Sequence, residues 1–172
     1  MAQFLRIELL VGLVGGLMPA GLFVAHNLLG ELYLAGEKFD DATAEFKTAI
    51  EQSPKWPIPY RNLATVYVLT QRGVDAVAIM KDGIDKTGGQ PLLIAALAAY
   101  LEQAGKPEEA IAQYERTLED QPDSPFARNN LAMLLVEYRK DDASRQRARE
   151  LVAPLRDSTE PAFLDTAGWV AY

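Results

Sequence analysis

The side chains able to do chemistry are few. The 172 residues hold one histidine, His26, and no cysteine. Disulfides, thiolate metal sites and thiol catalysis are therefore excluded, and imidazole chemistry has a single candidate. Carboxylates come in pairs at Asp40-Asp41, Glu108-Glu109 and Asp141-Asp142, a grouping from which acid–base catalysis or an oxygen-ligand metal site could be built. No histidine stands beside any pair, however, and each pair opens an expected helix, where negative charge faces the positive end of the helix dipole. Gly15-Gly16 and Gly88-Gly89 lack the Lys-Ser/Thr that a phosphate loop requires. No nucleophile can be matched to a base. The expectation is a non-enzymatic chain with no catalytic residue, metal or cofactor.

The charge balance narrows the partners. Seventeen Lys and Arg against 24 Asp and Glu give a net charge of -7, the wrong sign for a protein that displaces counterions from a phosphate backbone. The densest basic run, Arg145-Gln146-Arg147-Ala148-Arg149, is flanked by Asp141, Asp142 and Glu150. With 49% hydrophobic and 24% charged residues the chain has the composition of a folded domain. Leu9 to Ala25 is a 17-residue run without charge, short for a membrane span. Glu8 before it, and Gly12, Gly15, Gly16, Gly21 and Pro19 within it, argue against insertion or export.

The elements that must position these residues follow from a period. Pro57, Pro91 and Pro125 are spaced by 34 residues, and Pro161 follows after 36. Proline suits the first turn of a helix, where its missing N–H has no intrahelical partner, so each is expected to open one. One period earlier, residues 23–56 carry Leu29-Gly30, Tyr33, Ala42, Phe46, Ala49 and Pro54. Residues 57–90 carry Tyr60, Leu63-Ala64, Tyr67, Ala76 and Met80 at the same offsets, and 91–124 carry Ile94, Leu97-Ala98, Leu101, Ala110, Tyr114 and Pro122. Residues 125–160 begin alike, with Leu131-Ala132 and Leu135, and run two residues longer around Arg139 to Ser144. Small residues let two antiparallel helices, A and B, approach. Tyr33, Phe46, Tyr67, Met80, Leu101 and Tyr114 then fill the space between. Gly36, Gly73 and Gly105 are expected at the ends of the A helices. Residues 1–22 are expected to be a B-type helix, over 3–14, and a linker, and 161–172 an A helix without its B helix.

This pattern resembles the tetratricopeptide repeat (TPR), with His26 where that motif carries its leading Trp. The resemblance implies an all-α, right-handed superhelical TPR solenoid of antiparallel helix pairs, acting as a scaffold for a protein or peptide partner on its concave face. The groove positions of the family fall here on the second, fifth, ninth and twelfth residues of each A helix. Of these, Asn27, Glu31, Arg61, Thr65, Asn129 and Met133 are the candidate partner contacts. Only Arg61 is basic and Glu31 takes a place where a carboxylate clamp has Asn, so an acidic peptide C-terminus is not expected to be the ligand. The phrases HNLLGELYLAGEKFDDATAEF, ARNNLAMLLVEY and PAFLDTAGWVAY resemble bacterial multi-repeat proteins found with exopolysaccharide and PEP-CTERM type export. On that resemblance the chain reads as a piece of a longer array. Two other readings stay open: self-assembly through Trp169 and Tyr172 against the Phe4 to Val14 helix, giving a homo-oligomer, and a membrane-anchored accessory using Leu9 to Ala25.

Overall fold

A computed structural model describes residues 21–156 and 158–171, which contain nine α-helices and no strand. They are α1 (Leu22–Ala35), α2 (Phe39–Gln52), α3 (Pro57–Leu69), α4 (Gly73–Thr87), α5 (Pro91–Gln103), α6 (Pro107–Asp120), α7 (Pro125–Tyr138), α8 (Asp142–Val152) and α9 (Pro161–Ala171). One 3-10 turn, Ala153–Leu155, follows α8. Pro57, Pro91, Pro125 and Pro161 each stand at the first residue of a helix, as their spacing implies. The helix expected over 3–14 and the run from Leu9 to Ala20 lie outside the described residues. Among those described, no helix is long and apolar enough to cross a membrane.

The helices form two compact units that divide at Leu93/Ile94. In the first, α1 packs on α2, α2 on α3 and α3 on α4. In the second, α6 packs on α7, α7 on α8, and α9 against both α7 and α8. The residues expected as fillers are buried, from Phe46 at 0% exposure to Tyr33 at 9%. The small residues beside them, Ala42, Ala64, Ala76, Ala98, Ala110 and Ala132, are buried too. Gly30 shows the limit of the approach: a Cβ built there would lie 2.6 Å from Phe46 Cε1 and 2.7 Å from Cδ1. The ring is fully enclosed and has nowhere to retreat. Gly83 is equally close, with Tyr60 Cγ 2.7 Å and Leu93 Cδ1 2.8 Å from such an atom.

The turn between paired helices recurs with the same hydrogen bonds. Lys38 N–H donates to Tyr33 O at 2.9 Å, Arg72 N–H to Tyr67 O at 2.7 Å and Lys106 N–H to Leu101 O at 2.8 Å. Glu37, Gln71 and Gly105 each donate to the carbonyl three residues back at 3.0 Å, which completes a Schellman turn three times at 34-residue intervals. That turn needs positive φ at its penultimate residue, and the angles are 57° at Glu37, 60° at Gln71 and 72° at Gly105. Gly36 does end α1 as its C-cap, but glycine takes the positive φ of the turn at Gly105 alone. Gly36 sits one residue early with φ -89°, and Gly73 opens α4. A basic residue follows each turn, and two of these cover tyrosine rings: Lys38 Nζ lies 5.5 Å from the Tyr33 centroid and the Arg72 guanidinium 4.4 Å from that of Tyr67.

After α7 the turn changes. Arg139 is extended, with φ -113° and ψ 110°, and its guanidinium reaches both carboxylate oxygens of Glu108. Asp141 then caps α8, its Oδ1 accepting from Ser144 N–H at 2.9 Å and Oδ2 from the Ser144 hydroxyl at 2.8 Å. The two additional residues replace a Schellman turn with an extended link and a side-chain cap.

The close approach at Gly30 and the turn at Gln71 each give a prediction. Gly30→Ala gains about 1 kcal/mol of helix propensity but overpacks a closed core at a cost of about 1–3 kcal/mol, so its urea midpoint should fall. Gly168→Ala, in α9 with nothing within 4 Å of the new atom, should not fall and serves as the control. Gln71→Gly removes the strain of a non-glycine residue at positive φ, worth about 1 kcal/mol, and should raise the melting temperature.

Candidate functional site

The A-helix candidates of the first unit meet in one polar cluster. On α1, Asn27 and Glu31 are four residues apart and so share a helix face. Asn27 Nδ2 donates to Glu31 Oε1 at 2.8 Å. From α3, Asn62 Nδ2 donates to the same carboxylate oxygen at 2.9 Å and to Asn27 Oδ1 at 3.1 Å. Arg61 Nη2 then donates to Asn62 Oδ1 at 3.3 Å. The two amides are buried, Asn27 at 3% exposure and Asn62 at 8%. Their hydrogen bonds are made inside the protein, so Asn27 serves as a tie between α1 and α3. Glu31 is exposed and Arg61 half-buried at the rim of the cluster. A guanidinium has five donors, which leaves most of the Arg61 fork for other acceptors. Thr65 is exposed, with its hydroxyl donating to Arg61 O at 3.1 Å. Asn62, absent from the sequence-based candidates, was legible only as a polar residue between Arg61 and Leu63.

The second unit holds a cleft of about 270 Å³ whose walls include Glu102 of α5, Tyr114 of α6, Asn129, Met133 and Glu137 of α7, and Thr166 of α9. Residues 129, 133 and 137 recur every four positions and so line one face of α7. Asn129 is 9% exposed, and its Oδ1 is buried without a hydrogen-bond partner among the described residues. The neighbouring amide, Asn130 Nδ2, is turned to its own helix at Phe126 O, 2.7 Å away. Burial raises the Glu102 carboxyl above its ordinary range, the charge of Glu137 raises it further, and the Tyr138 hydroxyl, 3.5 Å from Glu102 Oε2, works the other way. Burial, with Glu102 adding to it, also pushes the Tyr114 phenol upward. Among the described residues no Lys or Arg lines the cleft.

The groups first weighed for chemistry are placed otherwise. His26 Nδ1 is 2.6 Å from Glu45 Oε2, which links α1 to α2. Asp40 and Asp41 lie in the first turn of α2, and Glu108 and Glu109 in that of α6. Among the described residues no group of three or more His, Asp or Glu side chains is arranged to hold a metal ion. Trp169 is 49% exposed on α9, while Tyr172 lies outside the described residues.

Comparison with known proteins agrees with this architecture. Residues 91–134, from the start of α5 to within α7, match the family model described as Tetratricopeptide repeat. No curated protein matches. Among solved structures, YrrB, a TPR protein with an unusual peptide-binding site, is 17% identical, with a TM-score of 0.51 over 86% of this chain and 75% of its own. PilF of Pseudomonas aeruginosa is 16% identical with a TM-score of 0.57, covering 87% of this chain and 68% of its own. The first TPR of Spaghetti (RPAP3), bound to the HSP90 peptide SRMEEVD, is 22% identical with a TM-score of 0.50 over 65% of this chain and 91% of its own. Residues 91–134 thus match a tetratricopeptide repeat, and the chain has the all-α helix-pair fold of tetratricopeptide repeat solenoid proteins.

Proposed function

We propose that this chain is a non-enzymatic scaffold that binds an extended peptide segment of a partner protein along its A-helix faces. The observation that carries the reading is the set of polar groups held at the rim or floor of those faces without a full complement of partners, Arg61 in the first unit and Asn129 in the second. An extended peptide presents unpaired backbone N–H and C=O groups, and polar side chains on an apolar surface pair with them. Helix-pair repeats expose such surfaces by construction. YrrB, a TPR protein with a peptide-binding site, and the first TPR of RPAP3, bound to an HSP90 peptide, support the same class of partner. The cluster around Asn27 holds the first face in shape, while Glu31, Arg61 and Thr65 meet the ligand. In the second unit, taken by itself, Asn129 and Met133 are the ligand contacts.

The test is a selection of random peptides on the full chain, followed by titration of those recovered. Arg61→Glu combined with Asn129→Ala should weaken binding by about tenfold or more, the loss of one or two buried polar contacts. Unchanged affinity with an unchanged helical circular dichroism spectrum would remove both residues from the site. Peptides ending in free acidic residues should bind no better than their amidated forms, because Arg61 is the one basic group at the groove positions and the second cleft is acidic. A preference for the free acid beyond about tenfold would overturn that expectation.

A further inference from the structure

Asn27 and Asn129 stand three periods of 34 residues apart, at the same place in their units, yet only one is satisfied. Glu31 and Asn62 hold the amide of Asn27. In the later unit the place of Glu31 is taken by Met133, which cannot accept strongly or donate. The place of Asn62, once the two additional residues are allowed for, is taken by Thr166, whose hydroxyl donates to Ala162 O at 3.0 Å in its own helix. The tie that Asn27 makes between neighbouring A helices has no counterpart here among the described residues, and one acceptor stands in the wall of a cleft. A buried acceptor without a partner is destabilising, because it has given up water and gained no donor in return.

Around that acceptor the described residues of the cleft offer further acceptors and no cation. Glu102 and Glu137 contribute two carboxylates to its walls, and burial first, then the charge of Glu137, raises the Glu102 carboxyl above its ordinary range. A ligand that relieves all three groups must donate hydrogen bonds and carry positive charge. Tyr114 and Met133 give apolar walls suited to the methylene stem of a long cationic side chain. A volume of about 270 Å³ falls below the range of about 300–1,000 Å³ typical of small-molecule sites, and matches one side chain better than a whole ligand.

We propose that the cleft formed by Glu102, Tyr114, Asn129, Met133, Glu137 and Thr166 is a subsite for one lysine or arginine side chain of the bound peptide. The ammonium or guanidinium sits between the two carboxylates and donates to Asn129 Oδ1. This names the ligand chemistry of one part of the peptide-binding face and rests on that reading.

The experiment uses the full chain, a displayed library of random dodecapeptides, and the variant E102Q/E137Q, which keeps side-chain shape while removing both charges. Peptides recovered on the wild type should share a basic residue at one fixed position. Replacing that residue by norleucine should weaken binding to the wild type by about tenfold, and to E102Q/E137Q by less than about twofold. In a spectrum of nitrogen-15-labelled protein, the side-chain amide of Asn129 should shift with the basic peptide and not with the norleucine peptide. Recovered peptides without a recurrent basic position, or an equal norleucine penalty in both proteins, overturn the subsite and leave the peptide-binding scaffold standing. Recovery of no peptide overturns both. Should E102Q/E137Q not fold, the norleucine comparison and the Asn129 shift on the wild type decide the question alone.

Discussion

Everything in this chain depends on how closely the two helices of a pair can come together. Burial of Phe46, Tyr60, Leu97 and Leu131 supplies the hydrophobic stabilisation, but those side chains pack only if the facing position is nearly bare. Gly30 beneath the Phe46 ring and Gly83 beneath Tyr60 are the extreme cases, and the buried alanines elsewhere are the ordinary ones. The consequence is a rigid pair with its large side chains committed inward, so that polar residues on the A helices are presented from a fixed backbone.

The turns are tuned separately from the core. The Schellman hydrogen bonds recur with the same spacing whether the residue at positive φ is Glu37, Gln71 or Gly105, so the backbone geometry is imposed by packing on either side of the turn. Where the chain leaves that geometry, at Arg139, an ion pair to Glu108 and the Asp141 cap hold the alternative link. Both solutions satisfy the orphan groups of helix ends, one with backbone and one with side chains.

Much of this was legible from residue types. The prolines gave the helix starts because their geometry allows little else, and the alternation of small and large residues gave the pairing because volume must be conserved across a contact. The glycines misled, since a glycine near a turn need not be the residue that turns: at Gly36 and Gly73 the neighbours take the constraint. Site residues were legible only as positions. That Asn27 is closed off by Asn62 and Asn129 is not depends on a partner a whole period away, and no local pattern reports it.

That contrast also shows how a repeated fold can diversify. Two side chains, one on the same helix and one on the next A helix, decide whether a given amide is tied between helices or left facing a cleft. Exchanging Met133 and Thr166 for the Glu and Asn that serve Asn27 would seal the second cleft into a structural joint, and the reverse exchange would open the first. A tandem array can thus change which polar groups it ties up and which it leaves facing a cleft without altering the large side chains that hold each helix pair together.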